Sequence, residues 1–257
     1  MRPVSGLEHI LRRDRQLALL FLAVLWVFAS VYLLNSAAMV TSMPGMSREP
    51  ASHLVAAGTL VGMWWAMMVA MMVPGAAPIV LLFCAVHRRA EAGGTLQGPP
   101  PVAAFVLGYL AIWFAFSLAA SAVQWVLSGS TIFSADRMVV EAKWLAAALL
   151  LVAGAYQISP MKQACLAHCR APASFLAAHW RAGALGAFRL GIVHGTYCLG
   201  CCWALMLLLF VGGVMNIGWI VLLTTLALGE RLAPRGGIVR QIIGAGLVVG
   251  ALGVALA

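Results

Sequence analysis

The run AFRLGIVHGTYCLGCCWALMLLLFV, residues 187–211, decides how the chain is read. Its only charge is Arg189, near the start. As a helix it rises about 37 Å, enough to cross a hydrocarbon core of about 30 Å. Contact with lipid asks for no thiols, yet the run carries His194, Cys198, Cys201, Cys202 and Met206. On a helix, His194, Cys198, Cys202 and Met206 follow one another at four-residue intervals, and Cys201 lies on the neighbouring ridge. Soft sulfur donors with one imidazole, aligned in an apolar run, suit a soft metal ion, above all Cu(I).

Outward from this run the chain stays apolar. Of 257 residues, 63% are hydrophobic and 9% charged, where a soluble domain carries roughly 25% charged. Continuous apolar runs predict an all-α polytopic transmembrane bundle, one membrane domain over 1–257. About seven spans are expected, roughly 17–34, 54–84, 102–127, 143–158, 187–211, 214–229 and 238–256. The runs do not alternate, which argues against a transmembrane β-barrel. The second holds Pro74 and Pro78 and is expected to kink or break there, with neighbours satisfying the freed carbonyls. The fourth is short and is expected to continue into an interfacial segment. Gly58/Gly62, Gly191/Gly195 and Gly246/Gly250 mark faces for helix packing, within the chain or in a homo-oligomer.

The net charge of +9 reads as topology. With the N-terminus inside, the cytoplasmic segments hold Arg2, Arg12, Arg13, Arg15, Arg88, Arg89, Lys162, Arg170, Arg181, Arg189, Arg231, Arg235 and Arg240. The outer side keeps Arg48, Arg137 and Lys143. Thirteen against three predicts N-in and C-out, with the first span an uncleaved anchor. A six-span arrangement is the rival, if the last run or the fourth does not cross. No basic block is dense enough for a nucleic-acid partner. The carboxylates are scattered, and no phosphate-binding glycine loop is present, so no enzyme activity is expected. Glu230 reads as an interface charge, and Gln124, Tyr156 and Gln157 as hydrogen-bonding groups between helices.

Further soft donors accompany the central run. Met63, Met67 and Met71 form one row of the second span, and Met68 and Met72 the next. A methionine stripe is ordinarily packing; beside a thiol-rich helix it also offers weak, reversible thioether ligands. Met39, Met43 and Met46 in the first outer loop either capture Cu(I), where thiols would be oxidised, or lie on the lipid surface. Cys165 and Cys169 share one side of a short cytoplasmic helix. Their spacing is neither that of c-type haem attachment nor that of a zinc finger. Two other functions remain open. Cys198-x-x-Cys201 has the spacing of a redox pair, which would make a membrane thiol-disulfide oxidoreductase. Alternatively, the cysteines merely pack in a non-catalytic assembly partner.

Four segments together resemble a bacterial family of metal-binding integral membrane proteins. They are Met63, Trp64, Ala70, Met71, Met72 and Pro74; Gly108, Tyr109 and Trp113; Tyr156, Gln157, Pro160, Lys162, Cys165, Leu166, Cys169, Arg170 and Pro172; and His194, Gly195, Cys198, Gly200, Cys201, Cys202, Trp203, Leu205 and Met206. Glu230-Arg231 stands where that family often has Glu-Lys. Some members are linked to copper delivery to a polyphenol oxidase (tyrosinase). The resemblance implies a copper chaperone whose partner is a copper-dependent oxidase or copper-handling protein. The expected ligand set is Cys198, Cys201, Cys202, His194, Met206, Cys165, Cys169, Met67, Met71 and Met72.

Overall fold

The structure, a computed structural model, describes residues 4–42, 53–94, 98–134, 138–233 and 236–256. It is all-α apart from one small hairpin. The elements are α1 (Val4–Ser42), α2 (His53–Ala92), α3 (Val102–Ser128), β1 (Phe133–Ser134), β2 (Val139–Val140), α4 (Lys143–Ile158), α5 (Pro160–Arg170), α6 (Pro172–His179), α7 (Gly183–Leu207), α8 (Leu209–Gly212), α9 (Ile217–Leu232) and α10 (Gly236–Leu256). The strands pair antiparallel, Phe133 with Val140 and Ser134 with Val139, a feature that the apolar patterning did not announce.

Five segments are long and apolar enough to cross a membrane: Arg13–Ala38, Leu54–Ala92, Val102–Ser128, Gly183–Gly212 and Gly237–Leu256. A sixth arises if α4 and α5, bent by 62° at their junction, count as one span. The expected span at 214–229 corresponds to α9, whose 16 residues rise about 24 Å, less than a hydrocarbon core.

Local chemistry accounts for the bends. Pro160 cannot continue α4 because it has no N–H and restricts Ser159 to extended backbone, found at φ −68°, ψ 150°. Ser159 then caps α5, accepting a hydrogen bond from the Lys162 backbone N–H at 3.2 Å. The prolines of α2 act differently. The helix continues through both, and the expected break does not occur. Pro74 has no N–H to give the Ala70 carbonyl, and Trp26 of α1 supplies one at 3.0 Å. At the other end of this antiparallel pair, Arg88 reaches both Asp14 and Glu91.

Glycines set the closest helix approaches. A Cβ on Gly108 would lie 2.1 Å from the Phe188 carbonyl oxygen, and one on Gly191 would lie 2.0 Å from that of Phe105. Gly195 meets Ile112, so the Gly191/Gly195 face packs α7 on α3. On α4 and α10 the close pair is Gly154 with Gly244. Gly58, Gly246 and Gly250 have nothing within 4 Å, and Gly62 has only the Tyr32 hydroxyl. Among the described residues, the Gly246/Gly250 face therefore makes no close helix approach, and the Gly58/Gly62 face meets only the Tyr32 hydroxyl. The helix ends bring α2, α7, the α4–α5 bend and the end of α9 together around one buried point.

Candidate metal centre

Three thiols come from one face of α7. The hydroxyl-like bonding of cysteine to its own helix orients two of them: Cys201 and Cys202 donate to the Cys198 carbonyl oxygen at 3.1 and 2.9 Å. All three are buried. Cys198 Sγ lies 3.0 Å from the Tyr109 hydroxyl, which donates to the Met72 carbonyl at 3.1 Å. The Met72 thioether on α2 stands 3.9 Å from Cys202 Sγ. From α5, Cys169 Sγ stands 4.0 Å from Cys201 Sγ. Five sulfur atoms from three helices thus converge.

The middle of this sulfur cluster is filled. Arg231, from the last turn of α9, places Nη2 3.0 Å from Cys198 Sγ, 3.4 Å from Cys201 Sγ, 3.4 Å from Cys202 Sγ and 3.9 Å from Met72 Sδ. It also lies 3.5 Å from the Cys198 carbonyl. The side chain is buried, and its Nε has no hydrogen-bond partner. Gly75 makes room for it, since a Cβ there would lie 2.7 Å from Nη1. Among the described residues, no group of three or more His, Cys, Asp or Glu side chains is arranged to hold a metal ion. The guanidinium fills the space between the sulfurs.

A second buried network fixes the end of α9. Lys162 Nζ lies 2.6 Å from Glu230 Oε2, with both side chains almost fully buried. Gln157 donates to Glu230 and accepts from Lys162. Glu230 is therefore the centre of a buried ion pair and not the interface charge that the sequence suggested. The end of α9 is thus buried inside the protein.

The other expected ligands divide. Cys165 packs on Gly200, where a Cβ would lie 2.8 Å from its Sγ, and Tyr156 donates to the Gly200 carbonyl. His194 lies one turn before Cys198, but its ring stacks on Tyr109 (5.7 Å between centroids) and meets Phe105 and Phe175. Its Nδ1 is buried without a partner. Met67, Met71 and Met206 are fully buried along the helices that lead to the cluster. Met43 and Met46, and the side chain of Met39, lie outside the described residues. The sequence pass missed Tyr109 and Arg231 as members of the site. For Arg231 a signal existed: adjacent Glu230 and Arg231 interrupt an apolar run, and ionisable groups in such runs mark functional sites.

The sulfur-rich donor set suits soft-metal chemistry. A family model described as PpoB2, copper chaperone, matches residues 61–254. No curated protein and no solved structure matches the chain. The matched stretch holds every sulfur of the cluster and both residues of the Lys162–Glu230 pair, and by it the chain belongs to the PpoB2 copper chaperone family.

Proposed function

We propose that the chain is a membrane carrier that binds Cu(I) at the sulfur cluster and passes it towards a copper-dependent oxidase. The observation that carries this reading is the convergence of Cys198, Cys201, Cys202, Cys169 and the Met72 thioether around one point. Thiolates and thioethers favour Cu(I) over harder ions. Metal–thiolate bonds are about 2.3 Å, as for zinc. The sulfurs stand 3.0 to 3.9 Å from Nη2, so binding draws them inward by roughly 1 Å.

The donors form a path as well as a seat. Met63 lies nine residues before Met72 on α2, about 13 Å along the axis, with Met67, Met68 and Met71 between them. Met206 extends the set one turn beyond Cys202 on α7. Met39, Met43 and Met46 are the capture residues at the outer end, and Cys165 and Cys169 the cytoplasmic exchange residues. His194 contributes once its ring leaves the aromatic stack. The chain transfers an ion and catalyses no reaction. Its partner is a copper enzyme such as a polyphenol oxidase, and its setting is the bacterial inner membrane.

Seven passes with the N-terminus inside fit the helix directions. Trp26 with Ala70 and Asp14 with Arg88 make α1 and α2 antiparallel. Leu208 with Trp219 and Cys198 with Arg231 do the same for α7 and α9. Lys162, Arg231 and Arg240 are buried and leave the positive-inside count, which still stands at ten against three.

The test is Cu(I) content and affinity of full-length protein purified anaerobically in detergent, against a Cys198→Ser/Cys201→Ser/Cys202→Ser variant. Stoichiometric Cu(I) that the variant loses supports the reading. Equal copper in both proteins refutes it.

A further inference from the structure

We infer that Arg231 is a resident counter-cation, which occupies the copper seat in the empty protein and leaves it when Cu(I) arrives. This inference rests on the sulfur cluster being the Cu(I) site.

The guanidinium is a poor permanent occupant of its position. Arginine carries five N–H donors and stays charged. Here Nη2 is spent on three thiols, a thioether and one carbonyl at 3.5 Å, mostly weak acceptors. Nε has no partner. Among the described residues no carboxylate pairs with it, because the adjacent Glu230 is engaged by Lys162 and Gln157. A buried group left this poorly satisfied gives up little when it moves. The surrounding fold nevertheless keeps the space for it: Gly75 lacks the Cβ that would collide with Nη1.

The exchange also conserves charge. Both guanidinium and Cu(I) carry one positive charge, so the exchange itself leaves the total unchanged; each thiol that becomes a thiolate ligand to the ion releases one proton to solvent. Without a resident cation, an empty cluster of electron-rich sulfurs would lie open to any passing cation or oxidant. With it, metal enters only by displacing Arg231, and the returning side chain helps to expel the metal on delivery. Because Glu230 pins the end of α9, the movement is a rotation of the Arg231 side chain, with the helix left in place.

Competition has a measurable sign. If the seat is open about one tenth of the time, apparent affinity is reduced about ten-fold. Arg231→Leu removes the competitor without adding a donor atom, and Gly75→Ala keeps the arginine but displaces it from the cluster. Both variants are expected to bind Cu(I) about ten-fold more tightly and to release it more slowly to a chromogenic Cu(I) chelator. Once Arg231 is gone, Gly75→Ala adds nothing further, so the double variant behaves as Arg231→Leu alone. In the metal-free state, both variants also expose Cys198 and Cys202 to faster alkylation than in the parent protein. Binding as weak as, or weaker than, the parent's in whichever variants fold overturns the inference. If the triple serine variant loses copper while Arg231→Leu and Gly75→Ala do not gain affinity, the site stands and only the counter-cation role falls. If the triple serine variant keeps its copper, the site itself is elsewhere.

Discussion

Glu230→Gln isolates the buried pair that holds the end of α9. In the parent protein Lys162 Nζ lies 2.6 Å from Glu230 Oε2, with side-chain exposures of 0% and 2%. At an effective dielectric constant of about 20, two unit charges at that distance attract by about 6 kcal/mol. Desolvation of both ions offsets most of this. Removing one charge forfeits the attraction but leaves the other ion buried, and such truncations typically cost about 3–5 kcal/mol. Here Gln157 still accepts from Lys162, so the lower end, about 3 kcal/mol, is expected. The measurement is reversible unfolding of full-length protein in mixed micelles by SDS titration. The control is Lys162→Met/Glu230→Leu, which removes both charges at similar volume. It should recover to within about 1–2 kcal/mol of the parent, since well-packed apolar replacements of buried pairs are often neutral. A Glu230→Gln protein within about 1 kcal/mol of the parent would refute the assignment of this pair as the clamp on α9. So would a double variant no more stable than the single one.

Three other outcomes follow from the geometry. Gly191→Ala forces a Cβ to within 2.0 Å of the Phe105 carbonyl and should destabilise by about 1–3 kcal/mol in the same titration, while Gly246→Ala, with open space around it, should stay within about 0.5 kcal/mol. Trp26→Phe removes the donor that satisfies the Ala70 carbonyl freed by Pro74 and should cost about 1 kcal/mol; restoring the helix's own donor with Pro74→Ala should shrink that loss in a double-mutant cycle. Mild oxidation of metal-free protein should join Cys169 to Cys201, whose sulfurs stand 4.0 Å apart, in preference to Cys198 with Cys201, and should abolish Cu(I) binding; peptide mass mapping under non-reducing conditions identifies the pair.

How far the sequence could be read depended on whether a feature was local. The sulfur face of α7 follows from helical periodicity, so Cys198, Cys201 and Cys202 were legible by spacing alone. The short fourth run was legible as continuing into a further segment, and Pro160 is the local cause of the α4–α5 bend. The Gly191/Gly195 pair packs as read, but Gly58/Gly62 and Gly246/Gly250 do not, because spacing cannot tell a face that meets a helix from one that meets lipid. His194 shares a face with the thiols in helical projection, yet its side chain is drawn into the stack of Tyr109, Phe105 and Phe175, which two other segments of the sequence, α3 and α6, supply. Arg231 was beyond periodicity altogether. Its place depends on where α9 stops relative to α7, a tertiary relation more than thirty residues apart in sequence.

That stopping point explains why charged side chains survive inside so apolar a protein. A helix long enough to cross a bilayer delivers its terminal residues to water, where Glu, Lys and Arg are cheap to place. Helices α4 and α9 have 16 residues each, and both end at the level of the thiols. The end of α9, the first turn of α5 after α4, and Arg240 of α10 therefore bring ionisable side chains into the protein interior, where each needs a partner within the protein. Lys162 and Glu230 find each other, Arg240 finds the Ser159 carbonyl at 3.0 Å, and Arg231 finds four sulfurs and the Cys198 carbonyl. The C-terminal end of α9 carries the negative pole of its helix dipole, which favours a cation in the last turn. A soft monovalent ion in the sulfur cluster would sit beside the same pole. The shortened helices thus set up one internal cation position with two candidate occupants, a side chain that is tethered to the protein and an ion that is free to travel.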